Sequence, residues 1–265
     1  MSNPTVGEFT AERFAEYRTM RLKSGIKAET VNREHAYLRG VFNELRRLGM
    51  FKRENPLSSL RQVKTPEREL SFLTLEQIES LLKALEARRS GDALLVTRLC
   101  LSTGARWSEA ETLRPSQLRG GAVHFSNTKS GKNRSVPIGP EMAETLNAHL
   151  VERYGDGAKM ANRYFHACMG AFRQAVKTAG LVLPEGQSTH VLRHTFASHF
   201  MMNGGNILVL QKILGHASLV MTMRYAHLAP DHLQEAVSLN PLASVRKREE
   251  EASQNGKNAS RNGKG

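Results

Sequence analysis

His190-Val191-Leu192-Arg193-His194-Thr195-Phe196-Ala197-Ser198-His199 is the stretch on which the reading of the whole chain turns. Its apolar spacing predicts a helix over 190–202 with Leu192 and Phe196 in the core. His190 and His194 are four residues apart and share a face, which invites a zinc site. A zinc-protease helix needs Glu beside the first His, and Val191 stands there, so His194 and His199 read as structural or core-edge residues.

Working outward, Leu214-Gly215-His216 closes a helix over 206–213, and Tyr225 follows in Met223-Arg224-Tyr225-Ala226-His227. Upstream lies Ser102-Thr103-Gly104-Ala105-Arg106-Trp107-Ser108-Glu109, where Arg106 begins a helix just after a Gly break and Trp107 pins the helix start. Between these, Val123–Phe125 and Arg134–Ile138 read as short strands flanking a turn-rich loop with Lys129, which predicts a β-hairpin. Thr74 with Gln77 three residues on makes a capping box for a helix over 75–87. Further helices are expected over 93–103, 106–113, 140–152, 162–179, 218–225 and 231–238. Leu94, Leu95, Leu99, Leu101, Leu208, Leu210 and Leu214 are expected in the core.

The first 66 residues read as helical. A long helix capped by Thr30 carries Val31, Tyr37, Leu38, Val41, Phe42 and Leu45 and ends at Gly49, and Asn55-Pro56 is a break. The expected organisation is a helical domain over 1–66, a charged linker at 67–71, a second domain over 72–245 and a disordered basic tail over 246–265. The fold class expected is mainly α with a small antiparallel β-hairpin, in two domains.

Composition points to a polyanionic partner. The chain of 265 residues has a formal charge of +13 and is 40% hydrophobic, so it is a folded protein with clustered cations available for phosphate. Two cysteines, Cys100 and Cys168, build neither a disulfide framework nor a zinc site, and a reducing cytosol fits them. No apolar run is long enough to span a bilayer and no signal peptide opens the chain, so a soluble, cytoplasmic location is expected.

Two Arg, a Lys, several His and a Tyr together suit displacement at a phosphodiester. Two guanidinium groups clamp the non-bridging oxygens as charge builds on them. A Lys on a loop can protonate the leaving oxygen. A phenol, with an ordinary pKa of about 10, needs a base or cationic surroundings to attack at neutral pH. No acidic triad for Mg²⁺ is apparent. Each residue alone has a duller reading: Arg106 as a solvated first-turn residue, Lys129 as an ordinary turn residue, His216 as a helix cap, Tyr225 as a core tyrosine.

In order and spacing these segments resemble the catalytic boxes of tyrosine recombinases, most nearly the integrases of temperate tailed phages of enterobacteria. The resemblance covers roughly residues 70–242 and extends less specifically over 9–66, which resemble the family's DNA-clamping helical domain. It implies that Tyr225 attacks the scissile phosphate to form a 3′-phosphotyrosyl link and that Arg106 and Arg193 hold the phosphate oxygens. Lys129 resembles the general acid, His190 the general base or proton relay, His216 a donor to the phosphate and Glu109 a supporting acid. Lys132 and Arg134, which crowd the Lys129 loop, are expected to contact DNA. The implied partners are double-stranded attachment or core sites, with a homotetramer on DNA and a monomer free, and neither metal nor ATP as cofactor. The small arm-binding domain of long phage integrases is expected to be lacking and the core-type DNA-binding domain over 1–66 to be shortened, which leaves accessory bending proteins and an excisionase open. The segment at about 228–245 is expected to dock on a neighbouring protomer. A type IB topoisomerase shares this chemistry, and a DNA-binding protein without catalysis would explain the charge but not Tyr225.

Overall fold

The structure, a computed structural model, describes residues 5–65, 71–88, 90–126, 133–184, 187–230, 237, 240–246 and 248. The expected linker, the loop holding Lys129 and Lys132, the expected helix over 231–238 and nearly all of the basic tail lie largely or wholly outside these residues. The chain divides into two compact units, Met1–Glu69 and Leu70–Gly265.

The first unit is built on α1 (Ala11–Lys23) and α2 (Ala28–Arg47). Thr10 caps α1 by accepting the Arg13 N–H. α2 begins three residues earlier than Thr30 predicts: Lys27 is its N-cap, without a side-chain cap. Its buried stripe runs through Val31, His35 and Phe42, with Leu38 and Leu45 packed alongside, against Phe14, Phe51 and Leu57. Tyr37 and Val41 sit off that stripe and stand exposed at 68% and 53%, contrary to the sequence pattern. The irregular segment after α2 is held by side chains in place of a third helix. Asn55 donates to the Arg39 carbonyl and to Asn43 and accepts the Leu57 N–H, while Asn32 exchanges two hydrogen bonds of 2.9 Å with the Val63 backbone.

In the second unit the helices surround α4 (Gly91–Thr103), whose buried residues lie on several sides of the helix. Against it pack α3 (Leu75–Ala87), α5 (Trp107–Glu111), α6 (Pro140–Tyr154), α7 (Met169–Thr178) and α8 (His190–Met202). The Thr74–Gln77 capping box forms as expected. Trp107 is buried on Phe172, with ring centroids 4.8 Å apart, and its indole N–H donates to Glu111. α7 starts at Met169, later than the expected 162, because the preceding chain is used to insert Tyr164 and Phe165 into the core. The Cys168 N–H at that helix start goes to the Glu111 carboxylate.

The sheet has three antiparallel strands in the order β1 (Leu118–Arg119), β2 (Ala122–Phe125), β3 (Arg134–Pro137). The additional strand β1 comes from Gly120-Gly121, both at positive φ (58° and 68°), as a two-residue hairpin turn requires. In the register Phe125 faces Arg134 and Val123 faces Val136. After α8 come α9 (Ile207–Leu214) and the short α10 (Val220–Met223), which leads into Tyr225. α9 is almost wholly apolar but only two turns long. It buries Leu210 and Leu214 and leaves Leu208, expected in the core, 52% exposed, because one neighbouring face cannot cover its whole circumference.

Candidate active site

Arg106 is the N-cap of α5, two residues after Gly104 ends α4 at φ +64°. A Cβ on Gly104 would come within 2.6 Å of Phe196 Cδ1 and 2.9 Å of Leu214 Cδ2, so only glycine lets the three segments meet there. Glu109 binds the Arg106 backbone N–H and guanidinium, both at 2.9 Å. The same carboxylate takes two bonds from Arg134, at 2.6 and 3.2 Å. Burial pushes the Glu109 carboxyl up, but the Arg134 hydrogen bond, the Arg106 N–H and the two guanidinium charges win and hold it at about 2.

Arg134 corrects the sequence expectation. Its side chain is 5% exposed, locked on Glu109 and stacked 4.4 Å above the Phe125 ring, so it cannot reach outward to DNA phosphates. Strand pairing explains this: Arg134 lies opposite Phe125 on the inward face of the hairpin base. It thus fixes the base of the loop that carries Lys129 and Lys132, which themselves lie outside the described residues.

Arg193 is buried within α8. Its guanidinium donates to the Gly104 carbonyl at 2.8 Å and the Leu214 carbonyl at 2.6 Å, tying α8 to the ends of α4 and α9. Burial, together with the charges of Arg106 and Arg134, lowers its pKa to about 10, so it stays a cation at neutral pH. His216 follows Gly215, a left-handed C-cap of α9. Its Nδ1 is 2.9 Å from the Thr222 hydroxyl, and with Thr222 as donor the ring proton lies on Nε2. Burial first, then the charges of Arg193, Arg106, Arg224 and Arg134, lowers the ring to about 4 and keeps it neutral. Four arginines acting on one imidazole define a concentrated cationic site.

Tyr225 is 1% exposed and packs on Ala197, Met201, Leu210 and Leu214. Burial raises its pKa, and the Arg193 and Arg224 charges partly offset that rise. The ring that touches its hydroxyl is His194, with Nδ1 at 2.6 Å, which the sequence reading treated as structural. His190 stands exposed as the first residue of α8, and its charge is felt at His194. The missed signal was the stripe His194, Ala197, Met201 at helical spacing, which is the face Tyr225 packs against. His199 is structural as expected, at 2.8 Å from the Leu73 carbonyl. Cys100 and Cys168 are free and buried, and burial drives both thiols up, Cys168 to about 12. Among the described residues no three His, Cys, Asp or Glu side chains gather as a metal site, and no helix is long and apolar enough to cross a membrane. The arrangement can bind an oxyanion between Arg106, Arg193 and His216 beside a buried phenol.

The sequence profile of the phage integrase family matches residues 71–232, and that of the phage integrase N-terminal domain matches residues 1–64. The chain belongs to the phage integrase family. As a member of that family it is a tyrosine-type, site-specific DNA recombinase. It is 51% identical over 254 residues to the integrase of Escherichia phage 186, covering 92% of this chain and 73% of that one. The integrase of Haemophilus phage HP1 is 50% identical over 252 residues, covering 92% and 72%. The solved catalytic domain of the bacteriophage HP1 integrase superposes with a TM-score of 0.58 at 51% identity, over 66% of this chain and 98% of that one. The mainly helical fold with a small antiparallel sheet is therefore that of this family's catalytic domain.

Proposed function

We propose that this recombinase cuts and rejoins DNA at attachment core sites through a 3′-phosphotyrosyl bond to Tyr225, with neither metal nor ATP. The observation that carries this reading is the convergence of a buried phenol, two guanidinium groups and a neutral imidazole on one site from α5, α8, the end of α9 and the chain after α10. Arg106 and Arg193 hold the non-bridging oxygens, and Glu109 sets the Arg106 side chain for that task. His216 donates its Nε2–H to the phosphate. Tyr225 Oη attacks phosphorus, the P–O5′ bond breaks, and Lys129 protonates the departing 5′-oxygen. His190 relays the phenolic proton onward. The 5′-hydroxyl of a partner strand reverses the step, and the bond energy is conserved in the phosphotyrosine. Residues 1–66 bind core-site DNA, as the helical domain they resemble does, and Lys132 adds a phosphate contact. The protein works as a homotetramer on DNA and as a free monomer, in the cytoplasm of a bacterial cell.

The test uses a nicked duplex recovered by covalent capture from a random-sequence library. A protein–DNA band on a denaturing gel that is absent with Tyr225→Phe is the expected result. A band that persists in Tyr225→Phe, or no capture of any duplex, sinks the reading. Relaxation of arbitrary supercoiled plasmid by the monomer would assign the chain to topoisomerase-like activity instead.

A further inference from the structure

The Tyr225 hydroxyl lies 2.6 Å from His194 Nδ1, with the two rings tilted at 42° and their centroids 6.1 Å apart. His194 does not sit on a loop. α8 holds it between the buried residues Arg193 and Thr195, and Thr195 is fixed at both ends: its hydroxyl donates to the Val191 carbonyl and accepts the Leu73 N–H. The acceptor is therefore placed by the same helix that places Arg193. We propose that His194 is a catalytic residue whose Nδ1 takes the phenolic proton of Tyr225 as Oη attacks the phosphorus. This rests on the reading of Tyr225 as the nucleophile and goes beyond it by naming the proton's first destination.

Geometry comes first: the contact is within the reach a general base needs. A phenol donating to Nδ1 requires the neutral ring with its own proton on Nε2, which is the base-competent tautomer. Burial, then the charges of Arg224, His190 and Arg193, keep that ring unprotonated down to about pH 4. The groups facing it are those three on α8 and the chain after α10, together with Tyr225 itself. The same cationic surroundings make His194 a weak base in the DNA-free protein, so the buried phenol keeps its proton. A phosphodiester held by Arg106, Arg193 and His216 brings in a negative charge that offsets those cations and strengthens the base. As the Oη–P bond forms, the Oη–H proton passes to Nδ1, the P–O5′ bond breaks, and the leaving oxygen is protonated by Lys129. His190, one turn earlier on α8, carries the proton onward. Rejoining runs each transfer backwards, so no oxidant, reductant or metal enters.

The experiment measures single-turnover formation of the covalent complex by the full chain on the captured nicked duplex. It compares wild type with His194→Leu, His194→Asn and His194→Ala. Asn keeps an acceptor near the Nδ1 position but cannot carry a proton. The expected result is a rate about 100- to 1000-fold lower in all three, with uncleaved-duplex binding retained and His194→Ala partly rescued by added imidazole. A 5′-bridging phosphorothiolate, whose leaving group needs no proton, should restore Lys129→Ala and leave the His194 variants slow. A near wild-type rate in His194→Asn makes the contact a positioning one and overturns the proposal. A near wild-type rate in His194→Leu, or no imidazole rescue, also overturns it. These outcomes leave the reading of Tyr225 intact, since that reading fails only if Tyr225→Phe still forms the covalent link or wild type captures no duplex.

Discussion

Replacing Glu109 with Gln removes one negative charge from between two guanidinium groups and leaves the side-chain volume almost unchanged. Its carboxyl has an ordinary value of 4.5 and is held at about 2 in the folded protein, chiefly by Arg134 and the Arg106 N–H working against burial. At about 1.4 kcal/mol per pH unit, that depression corresponds to roughly 3 kcal/mol of stability at neutral pH. The side chain is only 11% exposed, so solvent screening removes little of this. Because the folded value is the lower one, the contribution is complete above the unfolded value of 4.5 and disappears as pH falls toward 2. Glu109→Gln should therefore lower the urea unfolding free energy of the second unit by about 3 kcal/mol at pH 7 and at pH 5. The gap from wild type should shrink at pH 3 to less than half of its neutral value. Arg134, 5% exposed and left without its carboxylate, makes this a lower bound at neutral pH. A neutral-pH loss below about 1 kcal/mol, or a gap that stays constant from pH 7 to pH 3, would refute Glu109 as the electrostatic hub.

Gly104→Ala places a Cβ 2.6 Å from Phe196 at φ +64°, and should cost about 3 kcal/mol from left-handed strain plus overpacking. Gly180→Ala, at φ +65° with open space around it, should cost only the strain, about 1 kcal/mol; equal losses in urea melts would contradict the close approach. Asp92 accepts from His149, Arg153 and the His166 N–H, so Asp92→Ala should destabilise by roughly 3 kcal/mol. The covalent-complex rate of Asp92→Ala should stay unchanged at a temperature where it is folded. His194 and His216 are both held at about 4 against an ordinary 6.5, and the unfolded chain binds their protons first as pH falls. Stability is thus full above pH 6.5 and falls on acidification toward 4, by up to about 1.4 kcal/mol per pH unit for each ring. His216→Gln should flatten that slope, as followed by urea midpoints across the range.

The helix ends beside Arg106 and His216 were legible because glycine marks both of them in the sequence. Gly104 before Arg106 and Gly215 before His216 are visible as punctuation in the sequence. The Thr74 capping box was legible because it depends on residues three positions apart. What could not be read depends on distant partners. Arg134 looks like any basic residue near a hairpin tip until strand pairing brings it to Glu109, 25 residues away. His194 looks like a core-edge imidazole until the chain after α10 brings Tyr225 to it across 31 residues. Tyr37 and Leu208 have the apolar character of core residues. Their exposure follows from how little neighbouring surface α2 and α9 meet, which periodicity does not encode.

The two carbonyls that receive Arg193 come from positions 89 and 21 residues away along the chain. The pair is complete only when the ends of α4 and α9 have both come to rest on α8, and such distant pairings form slowly. A nascent or partly assembled chain therefore has a tyrosine and arginines but no shaped pocket to hold a phosphate. The cation at the centre of the site is thus set in place by the last long-range contacts of the domain and by no single element of it.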